Sequence, residues 1–494
     1  MLSQTQYEGT ARTLAMGNAF TALGGDLGAI AVNPASSGIY RCNEFTFSPE
    51  FVTAGGNTLF NGSENSDNST RFALSNTGFV TSMETGKASG ILNFNFGFTV
   101  NRTNNFNKDI WARGVNNVAS KLGSIAAGLA GVDFSLLEKT DTYEPYNNGA
   151  LPWNAILAYD CYLIDPEENF TDSYIAATEN YADDGSIGVG GNLLQEYYSR
   201  TYGGTSEISF NFGANYNDFL YFGANLNLVS VDYTVYDRYA ETAVSPSQFQ
   251  DGFVSMSNTY WQNTGGAGVS LKFGAICTPV EGLRLGATFT TPTWYSLSDN
   301  WQYGMTSNFE NGNRYEQNSP MGSYDYKVTT PMRWSLGAAY TFGGLGLISV
   351  DYEGVNYSAV KMSDYYGSEI SFTDANSQMR RGFGYAGILR AGAEVWLGGL
   401  AALRAGYNHY DTPGSLVDNT GYPYYNYPST DFISCGFGFK LGEEGRTRFD
   451  VAYQTMLKEN QVFAAFDSYA GIAAPSVDFN RSLSKLVLTL ALRF

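Results

Sequence analysis

The single histidine is the residue of this sequence best suited to proton-transfer chemistry. His409 lies two residues before Asp411, and such a pair could act as a general base with its orienting carboxylate. Strand parity, however, places His409 on the same side as Leu403 and Tyr407, where an apolar or aromatic surface is expected. The four cysteines follow no zinc or redox spacing. We therefore predict no enzymatic activity, no catalytic residues, no metal site and no cofactor.

Six charged residues fall on one side of neighbouring predicted strands in the C-terminal half of the chain. They are Arg333, Asp351, Glu353, Arg390, Glu394 and Arg404. Because side chains alternate between the two faces of a strand, these residues point away from the apolar face and into an interior, where charges require partners. One interpretation is a structural ion network that also binds the N-terminal segment. The alternative is an anion site, in which Arg12, Arg333 or Arg390 pairs with the carboxylate of a fatty acid.

A third candidate surface is apolar and lies in a long insertion at about residues 104–201. Its residues are Trp111, Val115, Val118, Leu122, Ile125 and Trp153. The spacing of four and three from Trp111 to Ile125 predicts an amphipathic helix, a second short one holds Trp153, Ile156 and Leu157, and Leu193–Tyr198 is a candidate third. These helices either pack on neighbouring loops or form a hydrophobic capture groove outside the membrane.

The elements that must position these residues are strands, because period-two alternation dominates from Asn43 onward. Along Ile91–Arg102 the apolar side chains occupy every second position. They are Leu92, Phe94, Phe96, Phe98 and Val100. We count fourteen such strands, and most reach the length of about nine residues that crosses a bilayer. The predicted fold is all-β, a 14-stranded antiparallel transmembrane β-barrel with helical extracellular loop insertions.

Composition supports this architecture and excludes others. Aromatic residues make up 15% of the chain, charged residues only 15%, and there are 56 Gly but 14 Pro, which suits strands that are apolar on one face. The net charge of −19 excludes nucleic acid as a partner, because phosphate binding needs clustered Lys and Arg. A soluble β-sandwich is rejected, since one unbroken series of long aromatic-faced strands is hard to bury in a single core.

The two chain ends predict the compartment. No secretion signal is visible near Met1, so we interpret the sequence as a mature chain whose leader has been removed. Leu486–Phe494 alternates leucines with other residues and ends in an aromatic residue, which resembles the assembly signal of bacterial outer-membrane barrels. Tight turns such as Asn217-Asp218 and Gly343-Gly344 recur at one end of the strands, opposite the long loops. We therefore predict the bacterial cell outer membrane.

The first 42 residues differ from the rest of the chain. They are rich in small residues, lack strand alternation, and carry a helical pattern at about Thr10–Leu23 that Gly24-Gly25 would end. A barrel of this size encloses a lumen too wide for wall side chains to fill, so a polar, glycine-rich segment can enter it. We predict two units: residues 1–42 as a hatch or plug inside the barrel, and residues 43–494 as the barrel. The alternative for residues 1–42 is a flexible tail.

Several motifs resemble one known family. Gly9–Arg12 through Asn33-Pro34-Ala35 resembles the N-terminal hatch of FadL-type transporters. Thr291-Pro292-Thr293-Trp294 and Thr330-Pro331-Met332-Arg333 resemble the Thr-Pro motifs of its strands, and Gly346–Glu353 resembles one of its barrel strands. With fourteen strands and the terminal Phe494, the resemblance covers nearly the whole chain.

The resemblance implies transport of long-chain fatty acids or other hydrophobic molecules. External loops would capture the solute, an apolar lumen pocket would receive it, and movement of the hatch would open a route, including sideways into the bilayer. The residues assigned to the hatch and gate are Arg12, Asp26, Asn33, Pro34 and Ala35. The expected partners are a hydrophobic small molecule, outer-membrane lipid and lipopolysaccharide.

A second function remains open. The tyrosine-rich composition also resembles that of family members from the Bacteroides group, some of which are secretion-system subunits. This resemblance implies a structural scaffold that docks protein partners through its large loops.

Overall fold

The computed structural model describes residues 3–249, 251–367, 371–417, 423–441, 446–457 and 459–494. In chain order the strands are β1 (Glu44–Phe60), β2 (Ser63–Glu84), β3 (Ile91–Asn105), β4 (Lys108–Asn116), β5 (Ile164–Pro166), β6 (Tyr174–Ala176), β7 (Glu179–Tyr181), β8 (Ile187–Val189), β9 (Leu193–Tyr216), β10 (Leu220–Ala243), β11 (Phe253–Val280), β12 (Leu283–Thr290), β13 (Trp294–Phe309), β14 (Arg314–Asn318), β15 (Gly322–Thr329), β16 (Arg333–Thr341), β17 (Gly346–Asn356), β18 (Lys361–Asp364), β19 (Tyr385–Leu397), β20 (Ala401–Tyr410), β21 (Gly414–Val417), β22 (Pro423–Tyr427), β23 (Thr430–Leu441), β24 (Thr447–Met456), β25 (Glu459–Ala464) and β26 (Ser476–Arg493). The α-helices are α1 (Ala11–Ala15), α2 (Ala29–Val32), α3 (Lys121–Gly128), α4 (Trp153–Asp160) and α5 (Thr373–Gly382), and 3-10 helices span Pro34–Ile39, Phe134–Leu136, Pro145–Asn147, Pro246–Gln248 and Tyr357–Ala359.

The main sheet closes on itself. β1 pairs with β2 on one side and with β26 on the other, from Glu44 opposite Arg493 to Phe60 opposite Val477. Four wall strands each consist of two consecutive segments, namely β3 with β4, β12 with β13, β17 with β18, and β24 with β25, and a fifth consists of three, β14, β15 and β16. Counted in this way, the described residues form a closed antiparallel barrel of fourteen strands, as predicted.

The two Thr-Pro motifs lie where two wall strands are interrupted. β12 ends at Thr290 and β13 begins at Trp294, while β15 ends at Thr329 and β16 begins at Arg333. Pro292 and Pro331 lie in the two gaps, where proline cannot donate a ladder hydrogen bond. Each motif therefore bends a wall strand without ending it, because both segments still pair with the same neighbours.

The outer face carries the apolar alternation. In β10, Phe222, Leu226 and Leu228 are exposed, whereas the alternate residues Asn225 and Asn227 are buried on the inner side. β9, β10 and β11 contain 24, 24 and 28 residues, and about ten residues of tilted strand cross a bilayer. The upper parts of these strands therefore extend beyond the membrane. Among the described residues, none of the helices combines the length and apolar character needed to cross a membrane.

The two ends of the barrel differ. At one end, called the turn end, strands are joined by tight turns such as Asn217-Asp218, Gly343-Gly344 and Gly398-Gly399, and most of these residues have positive φ. The opposite end, called the loop end, carries the long connections, among them residues 117–192 and 357–384. This asymmetry matches short periplasmic turns and long extracellular loops.

The prediction of a helix from Trp111 to Ile125 is wrong in its first half. Trp111 and Val115 lie on β4, which pairs with β9 from Lys108 opposite Thr201 to Asn116 opposite Leu193. The spacing of four that suggested a helix also keeps two residues on one face of a strand, and β9 is long enough to supply the backbone partners. Leu193–Tyr198 is likewise strand, so the insertion covers 117–192 and not 104–201.

The insertion forms a small packed unit at the loop end. α3 begins where the Ser120 side chain accepts a hydrogen bond from Leu122 N, which is an ordinary N-cap. Leu122 of α3 and Ile156 of α4 are buried in one apolar cluster with residues of β9, β10 and β11. Burial lowers the pKa of Lys121 to about 8, although the nearby Glu241 carboxylate opposes that change.

Residues 3–42, called the plug below, lie inside the barrel. The backbone N–H groups of Gln6 and Glu8 donate to the carbonyl oxygens of Thr103 and Arg102 on β3, at 2.7 and 3.1 Å. α1 contacts β20, β23, β24 and β26, and the 3-10 helix Pro34–Ile39 contacts β3, β9, β10 and β11. The plug thus follows the inner wall on opposite sides of the lumen.

The helix predicted at Thr10–Leu23 is much shorter than expected. α1 ends at Ala15, and Gly17 and Asn18 then adopt φ angles of 61° and 55°. The cause is contact with the wall, because a Cβ added at Gly392 would lie 2.3 Å from Met16 O and one at Gly406 would lie 2.2 Å from Gly17 N. The wall holds the plug backbone in a path that a continuing helix could not follow.

Glycines form a belt on the inner wall wherever the plug backbone approaches. Gly213 pairs with Gly223, which pairs with Gly274, so three neighbouring strands present glycine at one level. The members of the belt are Gly213, Gly223, Gly274, Gly286, Gly337, Gly392, Gly406 and Gly436. A Cβ at any of them would lie within 3 Å of a plug atom. Close packing of backbone on backbone therefore depends on the missing side chains.

This belt gives a first prediction, using Gly286→Val. A Cβ at Gly286 would lie 2.0 Å from Thr21 O, so valine should displace the plug locally at a cost of about 1–3 kcal/mol while the wall still folds. Limited proteolysis read by mass spectrometry should show new cleavage near Thr21, and heat-modifiable gel mobility should be unchanged. Gly265→Val is the matched control, because its only near atom is Asn263 Oδ1 at 3.8 Å. Equal cleavage in both variants would contradict the belt.

Candidate functional site

A chain of buried ion pairs fastens the plug to the wall. Arg12 of the plug donates through Nε and Nη2 to Glu394 on β19, at 3.0 and 3.1 Å. Glu394 also pairs with Arg404, whose Nη1 lies 2.7 Å from Asp450 Oδ1. The chain therefore runs from the plug through three neighbouring wall residues.

The same chain returns to the plug at Asp26. Arg448 Nε lies 2.7 Å from Asp450 Oδ2, and Arg448 Nη2 lies 3.0 Å from Asp26 Oδ2. The other Asp26 oxygen accepts from Thr10 Oγ1 at 2.7 Å and from Gly28 N at 3.0 Å. Two separated positions of the plug are thus held by one network, and buried charges with this many partners resist separation.

A second network lies under the first residues of the plug. Glu353 on β17 accepts from Arg333 Nη1 at 2.6 Å and from Arg390 Nη2 at 2.7 Å. Arg333 also donates to Ser3 O, and the Arg390 guanidinium lies 5.3 Å from the Tyr7 ring. The predicted lumen residues therefore divide between separate networks, and Arg333 and Arg390 share the wall carboxylate of Glu353.

Asp351 and the Asn-Pro-Ala motif hold the middle of the plug. Asp351 Oδ2 accepts from Thr21 N at 2.8 Å. Asn33 Nδ2 donates to Thr21 O at 2.6 Å and to Ala275 O at 3.3 Å, while its Oδ1 accepts from Ala35 N at 3.0 Å. Pro34 begins the 3-10 helix, where a missing N–H costs nothing. The motif therefore links the plug backbone at Thr21 to the wall at Ala275.

The wall divides between β2 and β3 near the loop end. β2 pairs with β3 only from Asn76 opposite Asn101 to Glu84 opposite Asn93. Above this level no strand partner on that side of β2 is found in the ranges that the structure describes, and side chains such as Arg71, which donates to Asn107 Oδ1 at 3.1 Å, bridge the gap. The lower corner of this division is occupied by the plug.

Plug residues 6–9 fill that corner. Gln6 N donates to Thr103 O on the β3 side, and Ser75 Oγ on the β2 side donates to Gly9 O. Leu74, next to Ser75, is exposed on the outer apolar face. Only a short stretch of plug backbone therefore separates the lumen from the outer surface at this height.

An apolar cavity of about 260 Å³ opens at the loop end above the plug. Its side walls come from β15, β18, α5 and the 3-10 helix Tyr357–Ala359. The apolar lining residues are Tyr326, Val328, Tyr357, Val360, Met362, Met379 and Phe383. Ser3 and Gln4 of the plug contribute the polar part of its lining. The cavity thus offers a solute an almost entirely apolar surface that ends at the plug.

The cavity continues into an apolar region of the lumen. Val229, Leu297, Tyr326 and Val328 face inward in a cluster with neighbouring strands, and Val360 and Met362 pack against it. Lumen faces of large barrels are usually polar, so this cluster is an exception to the pattern of the wall. A second, more polar cavity of about 250 Å³ shares Gln4, Tyr357 and Tyr427 with the first.

The predicted capture groove does not form from its six residues. Trp111, Val115 and Val118 are exposed at or beyond the end of a wall strand, whereas Leu122 and Ile125 are buried in the core of the insertion. Trp153 of α4 packs its ring 5.5 Å from Tyr146 and 5.8 Å from Trp301. Because β4 continues the wall and α3 turns inward, the two halves of the predicted stripe lie on different surfaces.

His409 lies at the loop end of β20 on the outer side, as parity predicted. Its Nδ1 is 2.8 Å from Asp431 Oδ1 and its Nε2 is 2.9 Å from Asp411 Oδ1. Within the described ranges, both ring nitrogens thus have carboxylate partners rather than a serine hydroxyl.

Sequence reasoning missed two groups of residues. Lys272 and Lys485 point inward, where Lys485 Nζ lies 2.7 Å from Glu8 Oε1 and Lys272 contacts Ala31 O. The parity argument that found Arg390 would also have found these lysines. The lining residues of the apolar cavity were missed for another reason, because α5 and the segment around Val360 show no strand alternation and reach the lumen only through tertiary packing.

Comparison with known proteins adds the fold relationship. No sequence-family model matches this chain. No curated protein matches it either. Among solved structures, it is similar to the Pseudomonas putida toluene transporter TodX, at 13% identity over 99% of each chain and a TM-score of 0.53. A Pseudomonas aeruginosa FadL homologue matches at 12% identity over 99% of this chain and 98% of that chain, with a TM-score of 0.53. The Ralstonia pickettii toluene transporter TbuX matches at 13% identity over 99% of each chain, with a TM-score of 0.52.

The fold and the plugged lumen define a class of protein. The closed fourteen-stranded wall, its apolar outer face and its unequal ends are those of a transmembrane β-barrel of the bacterial outer-membrane type. More narrowly, the barrel has the fold of the FadL-type transporters, and the resemblance stated from the sequence is confirmed at the level of the fold.

A second prediction tests the ion chain through Glu394→Gln. Among the described residues, the substitution removes the one carboxylate paired with Arg12 and one of two paired with Arg404, and loss of a buried partner costs roughly 3–5 kcal/mol. Amide hydrogen exchange of α1 should accelerate, whereas strands β9–β11 should exchange as before. Glu316→Gln, in an exposed pair with Arg314, should leave α1 unchanged. Unaltered α1 exchange in Glu394→Gln would show that the network does not fasten the plug.

Proposed function

We propose that this protein moves hydrophobic small molecules through the bacterial outer membrane. The observation that carries the proposal is the position of the first plug residues. Ser3 and Gln4 line the apolar cavity, and residues 6–9 fill the corner between β2 and β3. One displacement of this short segment would therefore both open the cavity and clear a passage to the outer apolar face.

The apolar lining supports a solute that is mostly hydrocarbon. An apolar ligand gains roughly 25 cal/mol per Å² when it leaves water, and the cavity presents valine, methionine and aromatic side chains. The similar structures include toluene transporters and a FadL homologue. Long-chain fatty acids and monoaromatic hydrocarbons are therefore the two solute classes to compare.

Release of the solute depends on the plug, whose middle is anchored to the wall by Asn33-Pro34-Ala35. Asn33 joins Thr21 to the wall at Ala275, so loss of this side chain would loosen the middle of the plug. Movement of residues 6–9 would break the backbone hydrogen bonds of Gln6 and Glu8 to β3 and the buried ion pair between Glu8 and Lys485. The ion networks further along would keep the rest of the plug in place.

A scaffold function is the second candidate, and the insertion at residues 117–192 supports it. This unit has its own apolar core and displays Tyr162, Phe170 and Tyr181 at its surface. Exposed aromatic residues are common in protein interfaces. The scaffold proposal predicts a protein that co-purifies through this unit, and uptake that is the same with and without the barrel protein.

A third prediction places a charge in the apolar cavity with Val328→Asp. An unpaired carboxylate is costly among apolar side chains, so uptake of a labelled fatty acid or of toluene should fall at least about fivefold. Uptake would be measured in cells with equal surface levels of each protein. Val462→Asp is the control, because Val462 is 66% exposed on β25 and lies outside the cavity lining. Equal uptake in the two variants would contradict a path through the cavity.

A fourth prediction removes the plug by deleting residues 1–35. The wall should still fold, because β1–β26 pairing supplies its backbone hydrogen bonds and Arg404 keeps Asp450 as a partner. Permeability to a labelled fatty acid should change and a small polar dye should leak in. Asn33→Ala should act in the same direction but more weakly. If both variants match the unaltered protein for both solutes at equal surface levels, the plug is not a gate.

A further inference from the structure

A cavity of about 440 Å³ opens at the turn end, on the opposite side of the plug from the apolar cavity. Its charged lining is strongly biased towards cations. The residues are Arg12, Arg404, Lys440, Arg448 and Arg493, with Glu394 as the one carboxylate among the described lining residues. This bias stands out in a chain whose net charge is −19.

The arginines retain hydrogen-bond donors that face the cavity. Arg12 uses Nε and Nη2, and Arg448 uses Nε and Nη2, in the bonds to the plug and wall carboxylates. Arg493 Nε donates to Glu44 Oε2 at 2.6 Å. The side chains of Arg12, Arg448 and Arg493 line the cavity and remain 13%, 14% and 42% exposed beside these bonds. An arginine with a free terminal edge is well suited to a carboxylate.

The other side of the cavity is apolar. Trp396, Leu400 and Phe439 contribute to its lining, and Leu400 is 68% exposed. Trp396 Nε1 donates to Glu394 Oε1 at 2.7 Å, so the indole ring adjoins the charged side. The cavity thus combines a cationic array and an apolar surface within one opening.

We propose that this turn-end cavity binds an amphipathic carboxylate, with its head on the arginines and its hydrocarbon tail against Trp396, Leu400 and Phe439. The site is separate from the apolar cavity at the loop end, whose described lining contains no charged side chain. It goes beyond the proposed transport function, because ligand would reach it from the turn end and would bind even if the loop-end cavity carried no solute.

A ligand at this site would contact the fastening of the plug. Arg12 belongs to the plug, and Arg448 holds plug residue Asp26. A carboxylate bound beside these two arginines shares their positive charge and so weakens their attraction to Glu394 and Asp26. Bound ligand should therefore accelerate amide exchange in α1, which contains Arg12.

The experiment uses the full chain in lipid nanodiscs and calorimetric titration with octanoate, with the heat of empty nanodiscs subtracted. Octanol tests the need for the carboxylate, and inorganic phosphate tests the need for the tail. Lys440→Glu puts a negative charge at the rim on an exposed side chain, so folding should be retained. Lys327→Glu is the matched control at the loop end, where Lys327 is also exposed.

We expect octanoate to bind the unaltered protein and the Lys327→Glu variant alike, and to bind Lys440→Glu at least about fivefold more weakly. We also expect octanoate to accelerate α1 exchange. Absence of octanoate binding, or equal affinity in the two variants, would overturn the proposal. Equally tight octanol binding would overturn the role of the carboxylate, and equally tight phosphate binding would overturn the role of the tail.

Discussion

The contact between plug and inner wall is the constraint on which the rest of this structure depends. A segment placed inside a barrel must satisfy its backbone polar groups and come close enough to leave no channel. The glycine belt permits that approach, since eight wall positions have no side chain where the plug passes. As a consequence, the wall determines the path of the plug backbone, and α1 therefore ends after five residues.

The buried charges follow from the same contact. A lumen lined only by glycine and small polar residues would hold the plug weakly, whereas Arg12 and Asp26 tie it to wall residues through an unbroken chain of ion pairs. These ties lie along the middle of the plug. Residues 3–9 are attached by hydrogen bonds to β3 and by the ion pair between Glu8 and Lys485, and they border both the apolar cavity and the division between β2 and β3. Movement of this start of the plug would therefore affect both places.

The sequence allowed the wall and its charges to be predicted because both follow strand parity. The alternation of Ile91–Arg102 and the inward parity of Glu353 and Arg390 need no knowledge of distant contacts. The helix prediction failed at Trp111 and Val115. A spacing of four residues fits one face of a helix and one face of a strand equally, and only the pairing with β9 decides between them. The resemblance implied an apolar lumen pocket, but its lining could not be predicted, because α5, Val360 and Val328 are brought together by tertiary packing from separate parts of the chain.

The most direct test of the account is a reversible bond between the start of the plug and the wall. Gln6 N donates to Thr103 O at 2.7 Å, so the two backbones lie side by side and a cysteine pair at these positions is the cross-link to test. Gln6→Cys with Thr103→Cys would be made in a protein whose four native cysteines are replaced by serine. We predict that uptake of the hydrophobic solute stops when the pair is oxidised and returns when it is reduced. Uptake at the unaltered rate by fully oxidised protein would contradict the claim that residues 3–9 must move.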